Sequence, residues 1–374
     1  MYPIPPQPDW DSRGRKRSAR SPPSSSSYHK SAKKTKRPSA YDRNFQQILI
    51  NNGFYPDRYQ YPNGQKLAKP ANWTEIQERL HRRRASLSPT RFNDDDFENF
   101  QHADTTSPKE AEVMLSVIST IQGNIVDSAT VAVGQLFQNL APLIQPKPYA
   151  EPVLAYAKPD SFCGARPEQL RRPIRDYLSD MIIPSTRDSH PILPNFLLEV
   201  KGPDGTSAVV SRQSLYNGAL GARAMHELQT YSNAERIYDT KAYTITATYL
   251  AGMLKLYSHH IIPSAKPGWE SETVMTLINA YALVGSRENF VQGVSAYRNL
   301  RDWAKEQRDQ FIEDANDRYF GPYKTSRAEQ ELVCGIVLPV TNLGMSVQSD
   351  ETGFLDAVEE QHGDEEADSL TIRS

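Results

Sequence analysis

The chain has 374 residues, enough for two modest domains or for one domain with long appendages. Hydrophobic residues make up 38% of it and Pro outnumbers Gly by 27 to 19, a lean composition that predicts disordered stretches. The net charge of −2 excludes little by itself, because residues 1–39 carry ten Lys/Arg against two Asp while residues 349–374 carry nine Asp/Glu against one Arg. No apolar run reaches bilayer length, so no membrane span is expected. The opening MYPIPPQPDW lacks the apolar stretch of a secretory signal. Cys163 and Cys334 are the only cysteines, which argues against a disulfide framework or a Cys-based zinc site and for a reducing compartment.

Residues 1–39 read as a disordered basic arm. Its clusters Arg13-Gly14-Arg15-Lys16-Arg17 and Lys33-Lys34-Thr35-Lys36-Arg37 flank a Ser-rich spacer, a layout that fits recognition by a nuclear import receptor and a nuclear location. Residues 40–100 read as a small accessory helical module. Tyr41, Phe45, Ile48 and Leu49 recur at helical spacing before Asn51-Asn52-Gly53, and Trp73 to Arg84 suits a second short helix. The acidic run Asp94–Asp96 leads into a third.

Ser107-Pro108-Lys109-Glu110 predicts a capped helix start, with Ser107 as cap and Glu110 closing a capping box. Val153–Ala157 reads as a short strand running into Pro159-Asp160, and residues 164–183 as a helical connection. Asn195–Lys201 reads as a strand stopped by Gly202-Pro203-Asp204-Gly205. A helix from about Val209 to Tyr231 follows, then a hairpin of Ala242–Leu250 and Met253–Tyr257 around Ala251-Gly252. Glu272–Leu283 and Arg287–Asp314 read as helices. This order predicts one α/β domain over residues 107–314 around a mixed sheet. Residues 315–346 form a C-terminal extension, and residues 347–374 a disordered acidic tail.

Chemistry concentrates on one strand. In Phe196-Leu197-Leu198-Glu199-Val200-Lys201, Glu199 and Lys201 share the face opposite Phe196, Leu198 and Val200. A carboxylate and an ammonium within an apolar strand are costly unless paired or at work. Pro159-Asp160 offers a second carboxylate upstream, and Gln213 and Tyr216 lie one turn apart on the next helix. Arg166, Arg171, Arg172 and Arg175 either line a phosphate-binding groove or form a solvated helix face. His259-His260 show no third metal ligand at matching spacing and read as edge-strand residues.

Asp, then Glu-x-Lys, then a helix bearing Gln-x-x-Tyr is the motif order of a large nuclease class. Through KPDSFCGARPEQL (158–170), PNFLLEVKGPDG (194–205) and RQSLYNGALGARAMHELQTY (212–231), the chain resembles the PD-(D/E)XK nuclease-like proteins, in particular a group expanded in filamentous fungi. The segments YDRNFQQILINNGFYP (41–56) and ERLHRRRASLSPT (78–90) also look like that group. The resemblance implies a restriction-endonuclease-like core, with a central mixed sheet flanked by helices, that hydrolyses phosphodiesters in DNA. Asp160 and Glu199 would hold Mg²⁺ or Mn²⁺, which would polarise the scissile phosphate. Lys201 would orient the attacking water or offset charge growing on the phosphate. Gln213 would brace the site, with Tyr216, Arg212 and Arg166 as nucleic-acid contacts and Glu112 as a candidate extra acid.

Asp160 stands 39 residues before Glu199, so residues 164–193 must make an excursion. Asp188, 11 residues before Glu199, is the rival ligand. Asp160 is preferred because it follows an apolar strand in a literal Pro-Asp. The alternative function is a catalytically inactive nuclease-like fold that binds nucleic acid or a protein partner.

Overall fold

The structure is a computed structural model that describes residues 37–143, 153–187, 190–264, 266 and 269–334, with side chains as far as Tyr319. Apart from Arg37, the basic clusters lie outside the described residues, as do the acidic tail and Asp188. By internal contacts the chain divides into two units, Met1–Phe320 and Gly321–Ser374. Of the second, the described part is helical backbone.

In chain order, α1 (Phe45–Asn51) and β1 (Phe54–Tyr55) are followed by α2 (Trp73–Leu80) and α3 (Asp94–Thr106). A helical run then comprises α4 (Glu110–Glu112), a π-helical stretch (Val113–Ile118) and α5 (Ser119–Gln122). β2 (Val131–Val133) and β3 (Ser161–Ala165) lead to α6 (Arg172–Tyr177) and α7 (Ser179–Ile182). β4 (Ile192–Lys201) and α8 (Ser207–Thr230) precede β5 (Ala242–Leu250), β6 (Met253–Pro263) and β7 (Ser271–Ala282). The last helix, α9, spans Arg287–Cys334.

The strands form one mixed sheet in the order β1-β7-β6-β5-β4-β3-β2. β4 runs parallel to β5, β1 runs parallel to β7, and the other neighbours are antiparallel. Alternation along β4 divides its side chains between two cores. Phe196, Leu198 and Val200 join α9 residues such as Val294, Tyr297 and Trp303, together with Ile76, Leu80, Phe100 and Val117. Leu197 joins Leu215, Tyr216 and Ala219 of α8 with Phe45, Ile48 and Leu49 of α1. The segment 40–100 is therefore built into both cores, and it supplies an edge strand of the sheet. No helix among the described residues is long and apolar enough to cross a membrane.

Four expectations from the sequence are corrected. Glu272–Leu283, read as helix, is strand β7: its Met, Leu and Ala content suits a helix, but pairing with β6 along its length decides the outcome. The strand beside Asp160 is Ser161–Ala165, after the aspartate rather than before it. Ser107 does not cap α4; its hydroxyl donates to the carbonyl of Ala103 at the end of α3, and Lys109 stands at the N-cap position without a side-chain bond.

His259 and His260 are likewise not edge residues, because β6 lies between β5 and β7 and both rings are buried. Burial, then the neighbouring His260, holds His259 down at about 3. Its Nε2 pairs with Thr246 Oγ1 at 2.8 Å, and that oxygen meets Ser214 Oγ at 2.6 Å. Gly218 lets α8 lie directly on the His259 ring, which a Cβ there would overlap. Gly218→Ala should therefore destabilise the fold by about 1–3 kcal/mol, read as a lower urea midpoint. An unchanged midpoint would show that the helix can lift from the sheet without cost.

Candidate active site

The site forms where β3 and β4 lie side by side. Their antiparallel register pairs Ser161 with Leu198 and Phe162 with Leu197. Asp160 stands immediately before that ladder, close enough for its carboxylate to act on Glu199. Two backbone links fix the position of Asp160. Its N–H donates to the carbonyl of Leu198 at 3.1 Å, and its Oδ2 accepts from the N–H of Val200 at 2.7 Å. Lys201 lies two residues beyond Glu199 and so shares its face. Its Nζ is 3.8 Å from Asp160 Oδ2. The 39-residue separation is taken up at the other end of the strands. There α6 and α7 fold as an excursion whose Leu170, Ile174, Leu178 and Ile182 pack against Ile192, Ala224 and Leu228.

Lys201 has a further partner that the sequence assigned elsewhere. Its Nζ donates to Glu110 Oε2 at 2.9 Å and to the carbonyl of Val200 at 2.6 Å. Glu110 reaches it because Gly202 lets the start of α4 pack against the end of β4: a Cβ on Gly202 would sit 3.0 Å from the Glu110 nitrogen. A Cβ on Gly205 would overlap Lys201 itself. Gly202 thus makes room for the backbone of α4, and Gly205 for the Lys201 side chain. Glu112, the acid proposed from the sequence, is exposed.

From the other side, α8 supplies Asn217, whose Nδ2 donates to Glu199 Oε1. Gln213 is one turn earlier on the same helix face, and its Oε1 is buried without a partner. The remaining nucleic-acid candidates lie apart. Tyr216 is buried in the α8–α1 core, edge-on to Phe45 at 5.7 Å. Arg212 Nε donates to the carbonyl of Ala40 at 2.6 Å. Arg166 is at the far end of β3, paired with Asp127 at 2.6 Å.

The electrostatics follow from crowding and burial. Glu199 is 1% exposed and Lys201 5%. Burial, and then the Asp160 carboxylate, drive Glu199 well above the ordinary carboxylate range, against the pull of Lys201 and Asn217. Burial also lifts Asp160, to about 6, with Glu110 pushing the same way and the Val200 N–H and Lys201 opposing. Burial presses Lys201 down, but the carboxylates of Asp160 and Glu110 outweigh it and leave its pKa raised.

Glu199 Oε2 is buried with no hydrogen-bond partner. An unpartnered carboxylate oxygen beside a second carboxylate suits a hard divalent cation such as Mg²⁺ or Mn²⁺. No group of three or more His, Cys, Asp and Glu side chains among the described residues is arranged to hold a metal ion. Mg²⁺ commonly takes one or two carboxylates and completes its shell with water and substrate phosphate, so the pair is a sufficient protein contribution.

Removing the Asn217 donor should be felt mainly when Glu199 is ionised. Asn217→Ala is expected to cost about 1–3 kcal/mol, more at pH 8 than at pH 5, in denaturant titrations of the metal-free protein. An equal loss at both values would mean that Glu199 keeps one protonation state across this range. No protein-family model matches the chain, and no curated protein or solved structure matches it either.

Proposed function

We propose that the protein is a metal-dependent nuclease of the PD-(D/E)XK type that hydrolyses phosphodiesters in DNA. The observation that carries this reading is the convergence of the Asp160 and Glu199 carboxylates with the Lys201 ammonium, whose Nζ is 3.8 Å from Asp160 Oδ2. When bound between Asp160 and Glu199, a divalent cation would draw charge from the scissile phosphate. Lys201 then does what a fixed ammonium can: it holds the attacking water or offsets charge building on the phosphate oxygens. Glu110 keeps that ammonium in place, and Asn217 fixes the rotamer of Glu199. Substrate would approach from the side of Asp160 and Glu110, whose side chains are 19% and 43% exposed. The basic clusters before residue 39 support a nuclear location through an import receptor.

The near-complete burial of Glu199 and Lys201 favours a second reading, a nuclease-like fold that binds nucleic acid or a protein without cutting. The test is cleavage of single-stranded, duplex and branched DNA with Mg²⁺ or Mn²⁺, using Glu199→Ala as control. Cutting that Glu199→Ala abolishes supports the nuclease. Absence of cutting on every substrate, or cutting that survives in Glu199→Ala, overturns it.

A further inference from the structure

A second feature stands on the same side of the sheet. The loop after β1 and strand β7 enclose an open cavity of about 350 Å³, lined by Asp57, Arg58, Tyr59, Lys66, Lys69 and Leu277 among others. Its sheet wall belongs to the α8 side, because Met275 and Leu277 pack in the same core as Leu197 and Leu215. Glu199 projects from that same face, two residues beyond Leu197. From β4 to β7 there are three strand intervals, about 14 Å at the usual spacing.

The cavity combines an aromatic wall with cations. Tyr59 stacks on Tyr55 with centroids 4.7 Å apart and planes at 24°, and Tyr61 meets both rings edge-on at 5.4 and 5.5 Å. Tyr55 and the neighbouring Glu272 are buried, and burial, followed by Tyr61 and Glu272, raises the pKa of the Tyr55 hydroxyl. Tyr59 is the member that is partly exposed and also lines the cavity. Arg58, Lys66 and Lys69 are exposed around it. Lys69 is held 4.1 Å over the Trp73 ring. The one acid of the lining, Asp57, accepts from the N–H of Leu277 at 2.8 Å through Oδ1 and lies 3.6 Å from Arg58 Nε through Oδ2.

We infer that this cavity is a subsite for one unpaired nucleotide of a single-stranded polynucleotide, with Tyr59 stacking on the base and Arg58, Lys66 and Lys69 meeting the flanking phosphates. A ring with a reachable face takes any unpaired base, and lysines on flexible stems track a backbone without reading sequence. A base paired in a duplex has no free face to offer. The inference rests on the nuclease reading for its purpose: a strand held here would cross to Asp160 and Glu199 within a few nucleotides.

The test measures binding apart from cutting. The full chain, in EDTA, is titrated against fluorescein-labelled oligo-dT, oligo-rU and a duplex of equal length, with anisotropy as readout. Single strands should bind more tightly than the duplex. Tyr59→Ala should weaken single-strand binding by about tenfold or more, while Tyr59→Phe, which keeps the ring, should bind like the parent. Lys66→Gln with Lys69→Gln should flatten the slope of log affinity against log salt by about 1.4, roughly 0.7 for each phosphate left without its lysine. These lysines are exposed, so their replacement leaves folding intact. Single-strand affinity and salt slope unchanged in all variants, or no single-strand binding by the parent, overturns the subsite. A protein that cuts nothing yet loses binding with Tyr59→Ala keeps the subsite and discards the nuclease. A Glu199-dependent nuclease indifferent to Tyr59→Ala discards the subsite alone.

Discussion

Lys201→Ala is expected to slow DNA cleavage by at least about a hundredfold while the protein remains folded. The ammonium bonds to Glu110, lies 3.8 Å from Asp160 and acts on Glu199. On the nuclease reading, its loss removes the group that would compensate charge on the phosphate. Folding should survive, since Glu110 and Asp160 are partly exposed and can regain water. Buried Glu199 can take up a proton instead. Circular dichroism and oligonucleotide binding should therefore change little. A Lys201→Ala protein that cuts as fast as the parent would remove Lys201 from the mechanism. Glu110→Gln should leave measurable cutting with an altered pH profile, because it frees the ammonium without deleting it.

The second large effect concerns pH and metal together. Asp160 and Glu199 both have folded pKa values above the ordinary carboxylate range. A raised pKa means that the fold holds these protons more tightly than the unfolded chain does. The associated stability is complete below the ordinary carboxylate values, near pH 4, and is lost as the pH rises through the folded values, about 6 for Asp160. Metal-free protein should accordingly melt at a lower temperature at pH 7.5 than this pair alone would give at pH 5. On the proposed reading Mg²⁺ would bind the ionised pair, and it should then raise the melting temperature by several degrees at pH 7.5 and hardly at all at pH 4.5. Glu199→Gln keeps an acceptor for Asn217 and removes the buried charge. It should raise the metal-free melting temperature at neutral pH and abolish the Mg²⁺ response. An Mg²⁺ shift that persists in Glu199→Gln would place the cation elsewhere.

Much of the frame was legible because local pattern and tertiary outcome agree. In β4 the alternation around Glu199 places Phe196, Leu198 and Val200 in one core. The turn residues Ala251-Gly252 set the β5–β6 hairpin, with both in positive φ. The Ala-rich middle of α8 lies close on the sheet. Where they disagree, pattern misleads. β7 carries Met275, Leu277, Ala280 and Ala282 in a helical-looking spacing, and only its pairing with β6 makes it a strand. β3 is five residues with a glycine near its end, too short to show a period. Asp160 was reachable as a literal Pro-Asp, and its distance in sequence proved irrelevant once the excursion folded at the other end of the strands. Glu110 was not reachable. Its place beside Lys201 depends on α4 meeting Gly202 in space, and one-dimensional spacing carries no trace of that meeting.

The pairing of β1 with β7 has a consequence for synthesis. Asp57 bonds to a residue 220 positions later, and α1 rests on a core finished by α8 and β7. A ribosome adds about 5–20 residues per second, so the segment around Phe45 and Tyr55 must wait roughly 10–45 seconds for its partner strand to emerge. Throughout that interval Phe45, Ile48, Leu49 and Phe54 have no completed core to enter. This segment is where a nascent chain should recruit holding chaperones, and where slow translation upstream of residue 271 should lower the yield of native protein.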